Sequence, residues 1–250
     1  MTQPLQTHTG RVAIITGAAG GLGRHFAAKL AAAGCDIAIA DIAPADDLVK
    51  AVEAQGQKAY SEICDLSDGQ QVVSFASNVL KIFGRCDILV NNAAYMPLIS
   101  LQDITIEQFR KFEAINVEAS LLLAQTISPS MIKNGYGRIV QITSSSVGSP
   151  MPGFLSYVTT KMAGIGLIRA LASELSNHGI MVNGLSPGLT KTAESEKNLP
   201  AELFEAVKNK QIIKRTSVPE DLCNALLYLT SEQCNFITGQ NINCDGGHLF

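Results

Sequence analysis

Tyr157 and Lys161 stand four residues apart in a stretch of helical periodicity, so their side chains lie on one helix face. A neighbouring ammonium stabilises a phenolate and lowers the tyrosine pKa toward neutral. Such a tyrosine can take a proton from an alcohol or return one to a carbonyl. The same spacing also occurs on ordinary helix surfaces, so the surroundings decide between the two readings. An apolar run at 138–142 ends in Thr143-Ser144-Ser145-Ser146. That places hydroxyls at the carboxyl end of a strand, where open α/β sheets bind ligands. Ser144 there can hold a substrate oxygen against Tyr157. Asn116 is a polar residue inside the apolar helical stretch 106–134 and must find partners once buried. Two readings of it stay open: a core amide satisfied by backbone, or the holder of a water linked to Lys161.

A second constellation binds rather than reacts. Thr16-Gly17-Ala18-Ala19-Gly20-Gly21-Leu22-Gly23 follows one apolar run and opens an Ala-rich helix. Gly17, Gly21 and Gly23, with Leu22 between the last two, allow a tight turn, close backbone approach to a pyrophosphate, and close packing of helix on strand. The helix start then favours the anionic phosphates. Asp41 closes the next apolar run. A carboxylate there can accept from both hydroxyls of an adenosine ribose and repels a 2′-phosphate. The alternative is a solvated loop aspartate. No basic residue directly follows Asp41 or lies within the turn, so NAD is favoured over NADP; Arg24, just beyond the turn, is the one nearby cation.

These groups need a scaffold that gathers strand ends along one edge. Val- and Ile-rich runs at 12–16, 37–40, 88–90, 138–142 and 180–185 read as strands. Their continuous apolarity indicates a parallel sheet covered on both faces. Segments 21–33, 45–55, 70–83, 106–134 and 156–177 read as helices between them. The expectation is an α/β chain: a single-domain, Rossmann-type, doubly wound parallel sheet of about seven strands with helices on both faces. Thr105 with Gln108 forms a capping-box pattern, and Pro219-Glu220-Asp221 suits a first helical turn. Pro129 is expected to kink or end its helix early. Residues 189–214, mixed in character without a clear strand, read as a mobile lid.

Composition narrows the partners. The chain has 250 residues, 46% hydrophobic and 16% charged, with a formal charge of −3, which argues against nucleic acid and anionic membranes as partners. No apolar stretch is long enough to span a bilayer, and residues 1–10 lack the layout of a secretion signal, so a cytoplasmic address is expected. Six cysteines without C-x-x-C spacing read as reduced, buried thiols, and four scattered histidines give no metal site.

Together the motifs resemble those of the short-chain dehydrogenase/reductases across nearly the whole chain. The resemblance rests on the glycine turn, Asn91-Asn92-Ala93-Ala94, Ser144 ahead of Tyr157-x-x-x-Lys161, and Pro187-Gly188. It also rests on Ile237-Thr238-Gly239-Gln240 with Asp245-Gly246-Gly247, which looks like that family's closing strand and tail. It implies a catalytic tetrad of Asn116, Ser144, Tyr157 and Lys161, with Lys161 also holding the nicotinamide ribose. Asp65 and Leu66 would flank the adenine, and Asn92 would lie near the adenosine side. Pro187, Gly188, Thr190 and Thr192 would line the carboxamide. Ala94 departs from the family's usual glycine, and Thr190 from its usual aliphatic residue. A homotetramer is implied, built through helices beginning near Gln108 and Tyr157 and through the C-terminal segment. Within the family the chain looks most like bacterial secondary-alcohol dehydrogenases. Tyr95, Met96, Ser144, Ser146, Val147, Met151 and Phe154 are candidate pocket residues. They lack an arginine that could clamp a carboxylate or phosphate, which points to an uncharged, moderately hydrophobic secondary alcohol or ketone. The alternatives are a polyol, sugar or pyridoxal-type alcohol, or a non-catalytic sensor of NAD(H).

Overall fold

The continuous apolar runs become strands of one parallel sheet in the computed structural model, which describes residues 7–249. The reading of residues 1–10 therefore lies largely outside the described residues. The strands are β1 (Val12–Thr16), β2 (Asp36–Asp41), β3 (Ala59–Ile63), β4 (Ile88–Asn91), β5 (Gly137–Ile142), β6 (Ile180–Pro187) and β7 (Asn241–Cys244). Their order is β3-β2-β1-β4-β5-β6-β7, and every pairing is parallel. The direction of winding reverses between β1 and β4, which opens a crevice at the carboxyl ends of those two strands.

Helices fill the crossovers on both faces: α1 (Gly21–Ala32), α2 (Asp46–Glu53), α3 (Gly69–Phe83), α4 (Ile106–Glu113), α5 (Ala119–Asn134), α6 (Leu155–Leu175), α7 (Ala193–Asn198), α8 (Ala201–Lys210) and α9 (Pro219–Thr230). The inner strands β2, β1, β4, β5 and β6 split their side chains between two cores, as a period of two requires. Ile15, Ile37, Ile39 and Val90 pack under Phe26, Leu30, Leu48 and Leu226 of α1, α2 and α9. Ile14, Leu89, Ile139 and Val182 pack under Phe75, Val79, Leu123 and Ile168 of α3, α5 and α6. Full burial of one such side chain contributes about 1.5–3 kcal/mol. Among the described residues no helix is long and apolar enough to cross a membrane. All six cysteines are free thiols, five of them buried.

Two expectations need correction. Pro129 lies inside α5 and does not end it. Leu123, Ala124, Ile127 and Met131 bury one face of that helix and hold it through the missing amide. Ala114–Glu118, between α4 and α5, widen into a π turn while the backbone stays helical from 106 to 134. The closing strand is Asn241–Cys244 rather than 237–240, since Asn183 and Val182 fasten residues 237–240 by side-chain and single backbone bonds before pairing with β6 begins. Residues 189–214 carry α7 and α8 and no strand of the sheet.

Candidate active site

The glycine turn is held by its neighbour strand. Thr16 Oγ1 accepts from the amides of Asn92 (3.0 Å) and Ala93 (3.1 Å), while Asn92 Nδ2 donates to the carbonyls of Thr16 (2.9 Å) and Gly17 (3.0 Å). Asn92 therefore shapes the turn itself. Gly17 has φ +66°, and a Cβ there would stand 2.8 Å from Ala93 Cα. A Cβ on Gly23 would run into Gly17 O and Asn92 Nδ2, so only glycine lets α1 approach this closely. Leu22 packs against the α1-side core. The N-cap of α1 is Gly20, which offers no side-chain cap, so the helix start presents its amides to an outside anion.

Asp41 closes β2 beside this turn. Its Oδ2 accepts from Ala19 N (2.8 Å) and its Oδ1 from Ala43 N (3.0 Å), which fixes the carboxylate at the end of the turn. Arg24 is committed elsewhere: its guanidinium grips Asp47 at 2.7 and 2.8 Å and Ala19 O at 3.3 Å. Asp65 Oδ1 accepts from the amide and hydroxyl of Ser67, and these bonds hold its carboxyl below the usual range. Leu66 beside it is buried.

At the other side of the crevice, α6 buries Tyr157 and Lys161 near the end of β5. Lys161 Nζ donates to Ile142 O at 2.6 Å and lies 5.4 Å from the Tyr157 ring centroid. Ser144 hydrogen-bonds the Tyr157 phenol, and its Oγ accepts from Ser146 N (3.1 Å) and Ser146 Oγ (2.8 Å). The expected direction of the tyrosine pKa is corrected here: burial pushes the phenol up, and only the Ser144 bond opposes it. Burial likewise pushes the Lys161 ammonium down, to about 8. Desolvation dominates because both groups sit in the protein interior, where charge of either sign is disfavoured.

Asn116 lies in the π turn. Its Oδ1 accepts from Tyr95 N (2.8 Å), and its Nδ2 donates to Tyr95 O (3.1 Å) and Thr160 Oγ1 (2.9 Å). Thr160 in turn donates to Tyr157 O at 2.9 Å. Of the two readings of Asn116, the bonds formed are those of a satisfied amide. They also tie the 95 loop to the turn of α6 that carries Tyr157, and Thr160 is a link sequence reasoning missed.

Pro187 ends β6, and Gly188 passes so close to Asp245 that a Cβ would stand 3.0 Å from its Cα. Thr190 is buried, with Oγ1 donating to Gly188 O at 3.1 Å. Thr192 is the N-cap of α7, its hydroxyl engaged with Ser195 N at 3.1 Å. Asn91 Oδ1 and Ser186 Oγ, near the ends of β4 and β6, are buried without a hydrogen-bond partner.

The proposed pocket residues separate. Met151 and Phe154 line a cavity of about 430 Å³ with Pro150, Leu101, Leu155 and Val158. Tyr95, Ser144 and Ser146 do not line it. Phe154 joins the two regions, its ring 5.4 Å from that of Tyr157. Tyr95 packs edge-on against Phe112 at 4.8 Å, beneath the Lys111 ammonium. Met96 is exposed at the surface, and Val147 ends the short turn after Ser144. A larger open hollow at Ser67, Gln70 and Leu122 holds none of the reactive groups.

A cradle without Cβ atoms, an uncapped helix start and an acceptor at Asp41 fit a dinucleotide lying across the β1/β4 crevice toward Tyr157. Comparison with known proteins agrees. A family model described as enoyl-(acyl carrier protein) reductase matches residues 17–248. Dehydrogenase/reductase SDR family member 4 of Pongo abelii is 34% identical over 241 residues, covering 95% of this chain and 87% of that protein. The solved 7α-hydroxysteroid dehydrogenase complexed with NADH and 7-oxo glycochenodeoxycholic acid superposes with a TM-score of 0.92 at 31% identity, covering 99% of this chain and 97% of that one. A 3-oxoacyl-(acyl-carrier-protein) reductase of Agrobacterium tumefaciens with NADP bound gives 0.90 at 28% identity, covering 99% and 97%.

Proposed function

Because the chain belongs to the short-chain dehydrogenase/reductases, which are NAD(P)-dependent oxidoreductases, we propose that it uses NAD(H) to interconvert an uncharged, moderately hydrophobic secondary alcohol and its ketone. The observation that carries this reading is the buried Tyr157, bonded to Ser144 and backed by Lys161 on the next turn of α6. The nicotinamide, when bound, gives or takes the hydride. Tyr157 exchanges the proton with the substrate oxygen. Ser144 orients that oxygen through the hydroxyl it already shares with the phenol. Lys161 spends one of its three N–H donors on Ile142 O, which leaves others for the nicotinamide ribose. Asn116 holds Thr160 and the Tyr95 backbone, and so positions the turn beneath Tyr157. Gly17, Gly21, Leu22 and Gly23 would cradle the diphosphate, with Asp65, Leu66 and Asn92 on the adenosine side. Pro187, Gly188 and Thr190 would face the carboxamide; Thr192, committed to capping α7, would reach it only through backbone.

NAD is preferred over NADP because Asp41 closes β2 beside the glycine turn, where its carboxylate would accept from the adenosine ribose and repel a 2′-phosphate, and because the nearby Arg24 is paired with Asp47. The apolar cavity at Met151, Phe154 and Leu155 supports an uncharged substrate of the kind bacterial secondary-alcohol dehydrogenases take, 1-phenylethanol being the first to try. Residues 189–214 act as the lid. A homotetramer is proposed from exposed apolar side chains on α4, α5 and α6, including Ile106, Leu121, Ile132 and Met162, and is checked by light scattering.

The experiment follows absorbance at the NADH band with NAD or NADP, both enantiomers of 1-phenylethanol, polyols, sugars and pyridoxal-type alcohols. Turnover with NAD and an apolar secondary alcohol is expected. Tyr157→Phe lowers that turnover by about 10²–10⁴-fold, with NADH binding retained. Turnover surviving the substitution, or turnover with NADP alone, would overturn the corresponding part of the proposal.

A further inference from the structure

Glu194 stands in the first turn of α7 and brings its carboxylate against Gly20 and Gly21, the N-cap and first residue of α1. A Cβ on Gly21 would stand 2.8 Å from Glu194 Oε2, and one on Gly20 would run into Oε1. The start of α1 has no side-chain cap of its own. A carboxylate is favoured there for the same reason as a phosphate, through the helix dipole and the unpaired first-turn amides. On α1, Arg24 is engaged with Asp47 and Lys29 with Glu220; Lys191, just ahead of α7, is engaged with Glu196. Glu194 itself makes no ion pair among the described residues.

The segment that carries it is fastened at its two ends and loose between them. At one end Thr192 caps α7, Ser195 Oγ donates to Thr190 O at 2.9 Å, and Thr190 bridges to Ser217. At the other, the buried Gln211 donates to Asp245 O at 2.8 Å, and Ile213 N to Gly246 O at 2.9 Å. Between these anchors α7 and α8 bury no side chain, so little holds the span down beyond what Glu194 touches.

We propose that Glu194 is an anionic latch: it competes with the cofactor diphosphate for the start of α1, so that dinucleotide binding expels it and releases the lid. The diphosphate and the Glu194 carboxylate cannot share the space against Gly20 and Gly21, and like charges there repel. The latch weakens cofactor binding and makes it report on lid position, because each anion is bound only at the expense of the other. It rests on the dinucleotide reading of the glycine turn, and the test separates the two.

The test is calorimetric titration of wild type, Glu194→Gln and Glu202→Gln with ADP, adenosine and NADH. Glu194→Gln keeps the shape and removes the charge. It should bind ADP and NADH about tenfold tighter than wild type, about 1.4 kcal/mol. Adenosine, without phosphates, should bind both proteins equally. The gain should shrink as salt is raised to about 1 M, where the screening length is only about 3 Å. Glu202→Gln, which removes a charge from α8 at a residue in no ion pair among the described residues, should bind as wild type does. Equal or weaker ADP binding by Glu194→Gln would overturn the latch, as would the same gain in Glu202→Gln. Failure of every protein to bind ADP or NADH would overturn the dinucleotide reading and the latch with it.

Discussion

Replacing Lys161 by Met removes a buried ammonium while leaving a side chain of similar length in its place. Burial lowers the lysine pKa from 10.5 to about 8. At roughly 1.4 kcal/mol for each pH unit, this disfavours the charged form by about 3 kcal/mol at neutral pH. The bond to Ile142 O returns about 1.5–2 kcal/mol of that, as a charged donor does. Lys161→Met is therefore expected to stabilise the fold by about 1–2 kcal/mol at pH 7 while abolishing turnover, a trade seen where a site is built against stability. The pH dependence gives the sharper test. Between about 8 and the unfolded value near 10.4, the unfolded chain binds the extra proton, so wild-type stability rises with pH. The penalty is complete below pH 8 and fades above it, and the advantage of the Met variant must fade in parallel. Urea denaturation without nucleotide at pH 7, 8, 9 and 9.5, followed by far-ultraviolet circular dichroism, measures the difference below the range where ordinary tyrosines ionise. A difference that stays constant across this range, or a Met variant less stable than wild type at pH 7, would refute the reasoning.

Gly23→Ala forces a Cβ into Gly17 O and Asn92 Nδ2, and should cost about 1–3 kcal/mol of stability together with at least tenfold in NADH affinity, read by thermal melting and NADH fluorescence titration. His8 is buried against Thr230, and burial lowers its pKa, so the folded state prefers the neutral ring. Its contribution is complete above the unfolded value near 6.5 and is lost as pH falls below it. Melting temperature from pH 7.5 to pH 5 should accordingly fall more steeply in wild type than in His8→Gln, and parallel curves would count against it. With Tyr157 held in its protonated form by burial, alcohol oxidation should speed up, and carbonyl reduction slow down, as pH rises above neutral; initial rates in both directions check this.

The sheet was legible because strands covered on both faces must be apolar throughout, and runs such as Val12–Thr16 and Gly137–Ile142 declare it without any alignment. Local signals also carried through: Thr105 and Gln108 close their capping box, and Pro219 opens α9. The candidate site was legible as far as strand ends go, since the glycine turn, Asp41, Asn92, Ser144 and Pro187 sit at the carboxyl ends of strands and Tyr157 near the start of α6. What the chain did not declare depends on partners distant in sequence. Nothing around Asn116 says that its amide will meet Tyr95 and Thr160, or that the helix will widen into a π turn there and run on through Pro129. Nothing around Tyr157 says that burial will outweigh the nearby ammonium. Thr192 reads as a hydroxyl free for a ligand until α7 is seen to need it as a cap. Glu194 looks like any lid acid until α7 is seen to rest on α1.

The strand order also sets a timetable for synthesis. β1 pairs with β2, and β2 with β3, so the half-sheet that carries the glycine turn and Asp41 is complete once residue 63 has emerged. The other edge of β1 waits for β4, which begins at residue 88. At about 5–20 residues per second, an apolar edge stays unpaired for roughly 4–15 s between the emergence of β1 and that of β4. From there the sheet grows outward one strand at a time, β4, β5, β6 and β7, each new strand closing the edge left by the one before. A nascent chain stalled before β4 therefore presents a ready template for aggregation, and a chaperone that shields the edge of β1 protects this protein most during that interval.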